Sequence, residues 1–326
     1  MNKKIFKQVK IFLPLVGIVI FVYLIYRLGI EKIIDAILSI SPIYIILSLL
    51  LTIPVLIIRN YAWQLIQREQ KIKVNFLQSL KILLIGYFYG VITPSYLGLL
   101  MRVPYLKEKT GEPYGKLFVN ASIDSIVHTL SLYGMMFIGA LLVIGAIPKL
   151  FYITCAWVLI LGIILLYFVK KERGEKLLFF LVKYFAPEKI KHYLDDFVGT
   201  FYTDFPKIKK LILPLILGIF TWVISFSQGY LIVLALGLDI PYLYFLLLYP
   251  VANTAGFLPV TFAGLGIREW ASIFLFSTIF FVAEEKVFAF TLISFIITDV
   301  LTGFIGFIFS LTEAKKRGKS LESIFK

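Results

Sequence analysis

Two stretches of this chain put charged and helix-breaking residues inside otherwise apolar sequence, and those residues have the most chemistry to offer. The first to consider is Leu258-Pro259-Val260-Thr261-Phe262-Ala263-Gly264-Leu265-Gly266-Ile267-Arg268-Glu269, within an apolar region from Leu243 to Val282. Hydrocarbon offers no water to a peptide group, so irregular backbone at membrane depth persists only where it is buried in protein or lines a cavity. An ionisable residue there is a functional-site candidate by default. The plainer reading is a loop between two short spans, with Arg268 and Glu269 solvated. The second stretch, Thr93-Pro94-Ser95-Tyr96-Leu97-Gly98-Leu99-Leu100-Met101-Arg102-Val103-Pro104, follows an apolar run from Phe76 to Ile92. Both stretches present Pro, Gly and Arg in the same order: Pro94, Gly98, Arg102 and Pro259, Gly264, Arg268.

A guanidinium at such a break can grip a phosphate bidentately, and the helix expected after Gly266 adds the free N–H groups of its first turn. Arg102 and Arg268 are therefore candidate headgroup ligands. Glu269 can hold Arg268 while the site is empty, or receive a cationic headgroup. The competing reading of the pair is a helix amino-terminal acid beside an arginine that snorkels to the interface. Asp124 and His128 are spaced i, i+4 and can share one helix face. Asp299 sits near the centre of the last span, where a bond to Thr298 or Ser294, or protonation, satisfies it. Asn253 and Thr254 precede the second break and can line a cavity or cap the broken helix. Cys155 is the one cysteine, and His128 and His192 are the two histidines. They give no disulfide, thiolate cluster or metal site by spacing. No cofactor is expected. No nucleophile–base pair and no Asp-x-x-Asp cluster is found, so the chain is not read as an enzyme.

These residues need a membrane scaffold. With 60% hydrophobic and 16% charged residues among 326 and a mean hydropathy of +0.92, the chain carries more apolar surface than a soluble core hides. It reads as an all-α polytopic integral membrane protein with about six to eight transmembrane helices. The net charge of +14 comes from short juxtamembrane clusters, which set topology and meet anionic headgroups. A nucleic-acid role is rejected. The expected segments are 1–41, an amino-terminal span with an interfacial helix from Glu31 to Ile40; 42–147, a span, hairpin and span; 148–210, an inverting span from Leu150 to Val169 and a basic amphipathic segment; 211–312, the second copy; and 313–326, a basic tail. Parity carries this layout. If Phe76 to Pro113 crossed the membrane once, the basic Lys170 to Lys210 segment would face outward, against the positive-inside rule. Two re-entrant hairpins entering from opposite faces keep it and both termini cytoplasmic, in the pattern of an inverted-repeat transporter.

At Gly90 to Thr93-Pro94-Ser95, Gly98 and Arg102, and at Pro259 to Gly264-Leu265-Gly266-Ile267-Arg268-Glu269, the chain resembles the flippase-like membrane family that includes the transmembrane region of lysylphosphatidylglycerol synthases. The likeness extends over almost the whole chain, and its more specific part is the second motif. It implies movement of an aminoacylated lipid between leaflets. Ala263-Gly264 stands where the family commonly has two glycines. Ser125 stands where it commonly has an arginine after the acid, which weighs against a charge network in that helix. The soluble acyl-transfer domain of the synthases is absent from this sequence, so aminoacyl-lipid synthesis by this chain alone is not expected. Three functions compete. The first is a flippase for an anionic or aminoacylated phospholipid or a lipid-linked precursor at the cell membrane. The second is a non-catalytic membrane partner docking a separate lipid-modifying or glycosyltransferase enzyme through Lys170 to Lys210. The weakest is an integral membrane enzyme.

Overall fold

The computed structural model describes residues 15–94, 96–169, 205–258 and 261–316, with a few isolated positions between 173 and 203. The lysine-rich amino terminus, the tail beyond Lys316, Ser95, Pro259 and Val260 lie outside the described residues, as does nearly all of the expected amphipathic segment between Lys170 and Lys210. The described elements are helices throughout: α1 (Leu15–Leu28), α2 (Ile30–Leu38), α3 (Pro42–Glu69), α4 (Phe76–Val91), a 3₁₀ turn (Leu97–Met101), α5 (Arg102–Thr110), α6 (Tyr114–Leu142), α7 (Pro148–Val169), α8 (Ile208–Ala235), α9 (Tyr242–Ala255), α10 (Ile267–Phe280), α11 (Glu284–Phe295), a π turn (Ile296–Val300) and α12 (Leu301–Lys316). The protein is an all-α polytopic membrane protein, as the composition requires.

Among the described residues, four helical stretches are long and apolar enough to cross a membrane: Pro42–Glu69, Tyr114–Leu142, Ile208–Ala235 and Glu284–Glu313. The two segments read as hairpins contain shorter helices. Helix α4 has 16 residues and α9 and α10 have 14 each, which at ~1.5 Å per residue is ~21–24 Å, short of the ~30 Å hydrocarbon core.

The long helices are polar inside and apolar outside. On α3, Ile46, Leu50, Ile53 and Ile57 form an exposed stripe at helical spacing, while Ser48, Thr52, Arg59, Asn60, Gln64 and Gln67 are buried. Lipid tails are as apolar as these side chains, so burying more aliphatic surface gains little, and interhelical polar bonds and close packing hold the helices instead. Gln228 on α8 shows this, donating to the Ser48 carbonyl and to Thr52 Oγ1, both at 2.9 Å.

Two compact units group the chain. One comprises Met1–Ile57, Leu80–Met101 and Thr221–Lys326; the other comprises Ile58–Ser79 and Arg102–Phe220. In the first unit α11 packs on both α10 and α2, α10 also meets α1, and α9 lies on α10. A Cβ built on Gly306 of α12 would meet the Leu84 carbonyl of α4, with Phe88 Cβ at 3.1 Å. In the second unit Ile66, Val119, Ile123 and Val127 form an apolar cluster against which Leu211 and Leu215 pack.

Gly306 therefore permits the α4–α12 approach, whereas nothing lies within 4 Å of a Cβ at Gly134 on α6. Gly306→Ala is expected to lower stability by about 1–3 kcal/mol through overpacking. Gly134→Ala is expected to be neutral or to stabilise by up to about 1 kcal/mol through helix propensity. Thermal melting of the purified protein measures both.

Candidate functional site

The second break begins where α9 ends, with Gly256 N–H donating to the Ala252 and Asn253 carbonyls. Thr261 Oγ1 donates back to the Gly256 carbonyl at 3.2 Å and Leu265 N–H to the Phe262 carbonyl at 3.0 Å, so the loop satisfies much of its own backbone. Ala263, Gly264 and Gly266 all have positive φ, at 47°, 84° and 86°. The position where the family resemblance expects another glycine thus adopts a left-handed conformation that glycine takes without steric cost. Gly266 has a further constraint, because a Cβ there would meet the Gly17 carbonyl of α1.

Helix α10 starts immediately afterwards. The Gly266 N–H donates to Glu269 Oε2 at 2.5 Å, which uses one of the orphan amide groups of the helix start. Glu269 Oε1 accepts from Arg268 Nε at 3.3 Å and Nη2 at 3.2 Å. Both side chains are sealed, at 3% and 0% exposure. The solvated-loop and snorkelling readings are therefore corrected: Arg268 turns inward, with its guanidinium 4.6 Å from the Phe295 ring centre. Neighbouring residues on a helix point apart, which accounts for the length of the Arg268–Glu269 bonds. Arg268 Nη1 lies 3.8 Å from Asp299 Oδ2, beyond hydrogen-bond distance.

Asp299 occupies the π turn that interrupts the last long helix, a kind of bulge frequent at functional sites. Thr298 Oγ1 is 2.7 Å from its Oδ2. Tyr96 Oη, from the first break, is 2.8 Å from its Oδ1 and 3.1 Å from the Ala263 carbonyl. Pro94 and Phe262 also pair backbone to backbone as an isolated antiparallel bridge. The two breaks thus meet, through Pro94 and Tyr96 of the first and Phe262 and Ala263 of the second. The first break is closed by Thr93, whose Oγ1 donates to the Tyr89 carbonyl at 2.8 Å and accepts from Gly98 N–H at 2.7 Å. A Cβ on Gly98 would meet the Tyr89 carbonyl, so the tight turn needs glycine there.

Arg102 and Asp124 belong to the second unit and form a separate cluster. Asp124 accepts from Arg59 at 2.5 and 2.6 Å and from Arg102 Nη1 at 2.7 Å. Arg102 Nη2 donates to the Ala121 carbonyl at 2.7 Å and to Ser125 Oγ at 3.2 Å, and its guanidinium stacks 4.6 Å from the Trp63 ring centre. The expectation that Ser125 weighs against a charge network is overturned. Arg59, supplied from α3, replaces an arginine on α6 itself, and Ser125 becomes an acceptor. His128 lines the tight cleft beside this trio with Arg59, Pro214 and Gly218. Trp63 Nε1 donates to Asn120 Oδ1 at 2.8 Å and Asn120 Nδ2 to Gln70 Oε1 at 2.7 Å, extending the polar core.

The structure thus gathers Arg268 and Glu269 with Asp299, Tyr96 and Gly266, and gathers Arg102 with Asp124 beside His128. Asn253 lies in the last turn of α9, and its carbonyl accepts from Gly256 N–H at 3.1 Å. Pro259 lies outside the described residues. Arg59 and Tyr96 are the partners that sequence reasoning does not single out. An arginine well inside a 28-residue apolar helix is the available signal for the first.

Asp124 compensates two buried cations, so Asp124→Asn strands both and is expected to cost about 3–5 kcal/mol. Arg59→Met leaves the Arg102–Asp124 pair neutral and is expected to cost less. Thermal melting with both variants checks the order, and equal losses contradict this account of the trio.

Comparison with known proteins agrees with this membrane architecture. A UPF0104 membrane protein of Methanocaldococcus jannaschii is 24% identical over 313 residues, covering 90% of this chain and 92% of the relative. A second from Pyrococcus horikoshii is 24% identical over 322 residues, covering 90% and 95%. A third from Methanothermobacter thermautotrophicus is 23% identical over 298 residues, covering 81% and 84%. The family model for the lysylphosphatidylglycerol synthase TM region matches residues 11–306, nearly the whole length, and the chain belongs to that family.

Proposed function

We propose that this protein moves an anionic or aminoacylated phospholipid, or a lipid-linked precursor, between the leaflets of the cell membrane. One observation carries the reading: Arg268 is sealed in a helix break, yet its fork is only loosely engaged. Its two bonds to Glu269 are long and Nη1 has no bond within reach of Asp299. A phosphate arriving at the amino terminus of α10 offers shorter, bidentate, charge-assisted bonds and the field of the first helical turn. Glu269 then keeps the Gly266 N–H and is free to meet a cationic group on the same headgroup. Arg102 is more fully committed, to Asp124, Ala121 and Ser125, and in this reading holds the scaffold. The name of the family, a synthase region for an aminoacylated phospholipid, supports the substrate class. The same reading treats the two breaks as halves of an inverted repeat and puts both termini and the Lys170 to Lys210 segment in the cytoplasm.

Arg268→Lys keeps the charge and loses the planar fork. Losing one charge-assisted bond, at about 1.5–3 kcal/mol, is expected to slow lipid scrambling in liposomes by at least about tenfold. Arg268→Ala is expected to be slower still, with folding verified by thermal melting. Scrambling by Arg268→Lys at the wild-type rate excludes the phosphate clamp. For orientation, Cys replacing Lys176 is expected to react only with reagents that reach the cytoplasmic side, and labelling from outside overturns the topology.

A further inference from the structure

We propose that the hydroxyls of Ser272 and Ser294 mark a passage, closed in this structure, along which a headgroup leaves Arg268 between α9, α10 and α11; the passenger rests on the translocator reading. Position is the first observation. Ser272 lies on α10 one turn beyond Arg268 and one turn before Phe276, so the three share a helix face. Ser294 lies on α11 one turn beyond Phe290 and next to Phe295, whose ring centre is 4.6 Å from the Arg268 guanidinium. The Phe276 and Phe290 rings are 5.7 Å apart. Both serines are thus held between the ionic cluster and an aromatic one. The aromatic cluster is tight, with Phe245, Tyr249, Phe276 and Phe290 within 5.1–6.5 Å of one another, centre to centre.

The second observation is that both hydroxyls are sealed and unbonded. Ser272 is 0% exposed and Ser294 4%, and neither Oγ makes a hydrogen bond. The Tyr249 hydroxyl stands near Ser294 but outside hydrogen-bond geometry. A buried serine in a helix has a carbonyl one turn back to turn to. Neighbouring hydroxyls use theirs: Thr291 donates to the Phe288 carbonyl at 2.8 Å and Thr298 to the Ser294 carbonyl at 2.9 Å. Ser272 and Ser294 do not, and Ser294 faces α8, where a Cβ built on Gly229 would lie 3.0 Å from its Oγ. A hydroxyl buried without a partner bears the full cost of its desolvation, which alanine, of nearly the same shape, avoids. The closed layer is therefore worse for holding serines. Their hydroxyls gain only when the layer opens and water, or the oxygens of a headgroup, reach them. Movement past a strong site also requires weaker sites beyond it, and neutral hydroxyls one turn from Arg268 have that character.

Thiol reagents attack the thiolate, which forms where water reaches the sulfur. Single cysteines replacing Ser272, Ser294 and, for reference, the sealed Ala140 of α6 are treated with a charged methanethiosulfonate in liposomes, in protein carrying Cys155→Ser. Modification of a sealed thiol follows the population of the open form, so Ser272→Cys and Ser294→Cys are expected to react at least about tenfold faster than Ala140→Cys. Ser272→Ala and Ser294→Ala remove an unbonded hydroxyl and are expected to melt higher than wild type while scrambling a labelled phosphatidylglycerol severalfold more slowly. A packing defect would lower both. Ser131→Ala, which loses bonds to the Val127 and Leu215 carbonyls, is expected to melt lower and supplies the contrast. Cysteines at 272 and 294 that react no faster than Ala140→Cys, or melting below wild type in both alanine variants, overturn the passage. Scrambling by wild-type protein with both cysteines unreactive removes the passage and leaves the translocator reading. Reactive cysteines in a protein that scrambles no lipid keep the opening and count against the translocator reading alone.

Discussion

Charge sealed away from water is the constraint on which the rest of this structure depends. Arg268, Glu269, Arg102 and Asp124 are all nearly or fully buried, and an isolated charge in such surroundings costs several kcal/mol. Each must therefore find a partner inside the protein. Asp124 recruits Arg59 from α3 and Arg102 from the start of α5. Arg268 draws on its neighbour Glu269, on Phe295 and, at longer range, on Asp299. Packing of the helices is subordinate to these meetings, since aliphatic contacts alone scarcely favour protein over lipid.

The broken segments obey the same constraint through the backbone. Every helix end that stops inside apolar surroundings exposes amide and carbonyl groups that water cannot reach. Thr93 answers this at the first break by donating to Tyr89 and accepting from Gly98 with one hydroxyl. At the second break Thr261 bonds back to Gly256 and Glu269 takes the Gly266 N–H. Glycines 98, 264 and 266 are needed for positive φ or close approach, not for looseness. At both breaks the described turns carry specific side-chain caps.

The two charge clusters differ in how completely they are satisfied. Asp124 receives short bonds from two guanidinium groups, and Arg102 is further fixed by a carbonyl, a hydroxyl and an indole face. Such saturation makes a rigid support. The Arg268 cluster has longer bonds, an adjacent-residue pair, a π turn and a partly exposed carboxylate. Incomplete satisfaction is where a ligand gains most, because its binding supplies interactions that the empty site lacks.

Composition by itself determined that this is an all-α membrane protein, since no soluble core accommodates so much apolar sequence. Helix breakers beside Arg102 and Arg268 located the breaks, because proline and glycine act on the local backbone wherever they fall. The start of α10 after Gly266 was legible for the same reason. Pairing was not legible. Arg59 lies 65 residues from Asp124 and Tyr96 lies 203 from Asp299, and nothing in local sequence selects such partners. Nor does sequence alone reveal whether Arg268 snorkels outward or turns inward, since both fit an arginine at a helix start. Tertiary packing decided these points: it chose which faces close on one another, and buried charge then required the partners brought within reach.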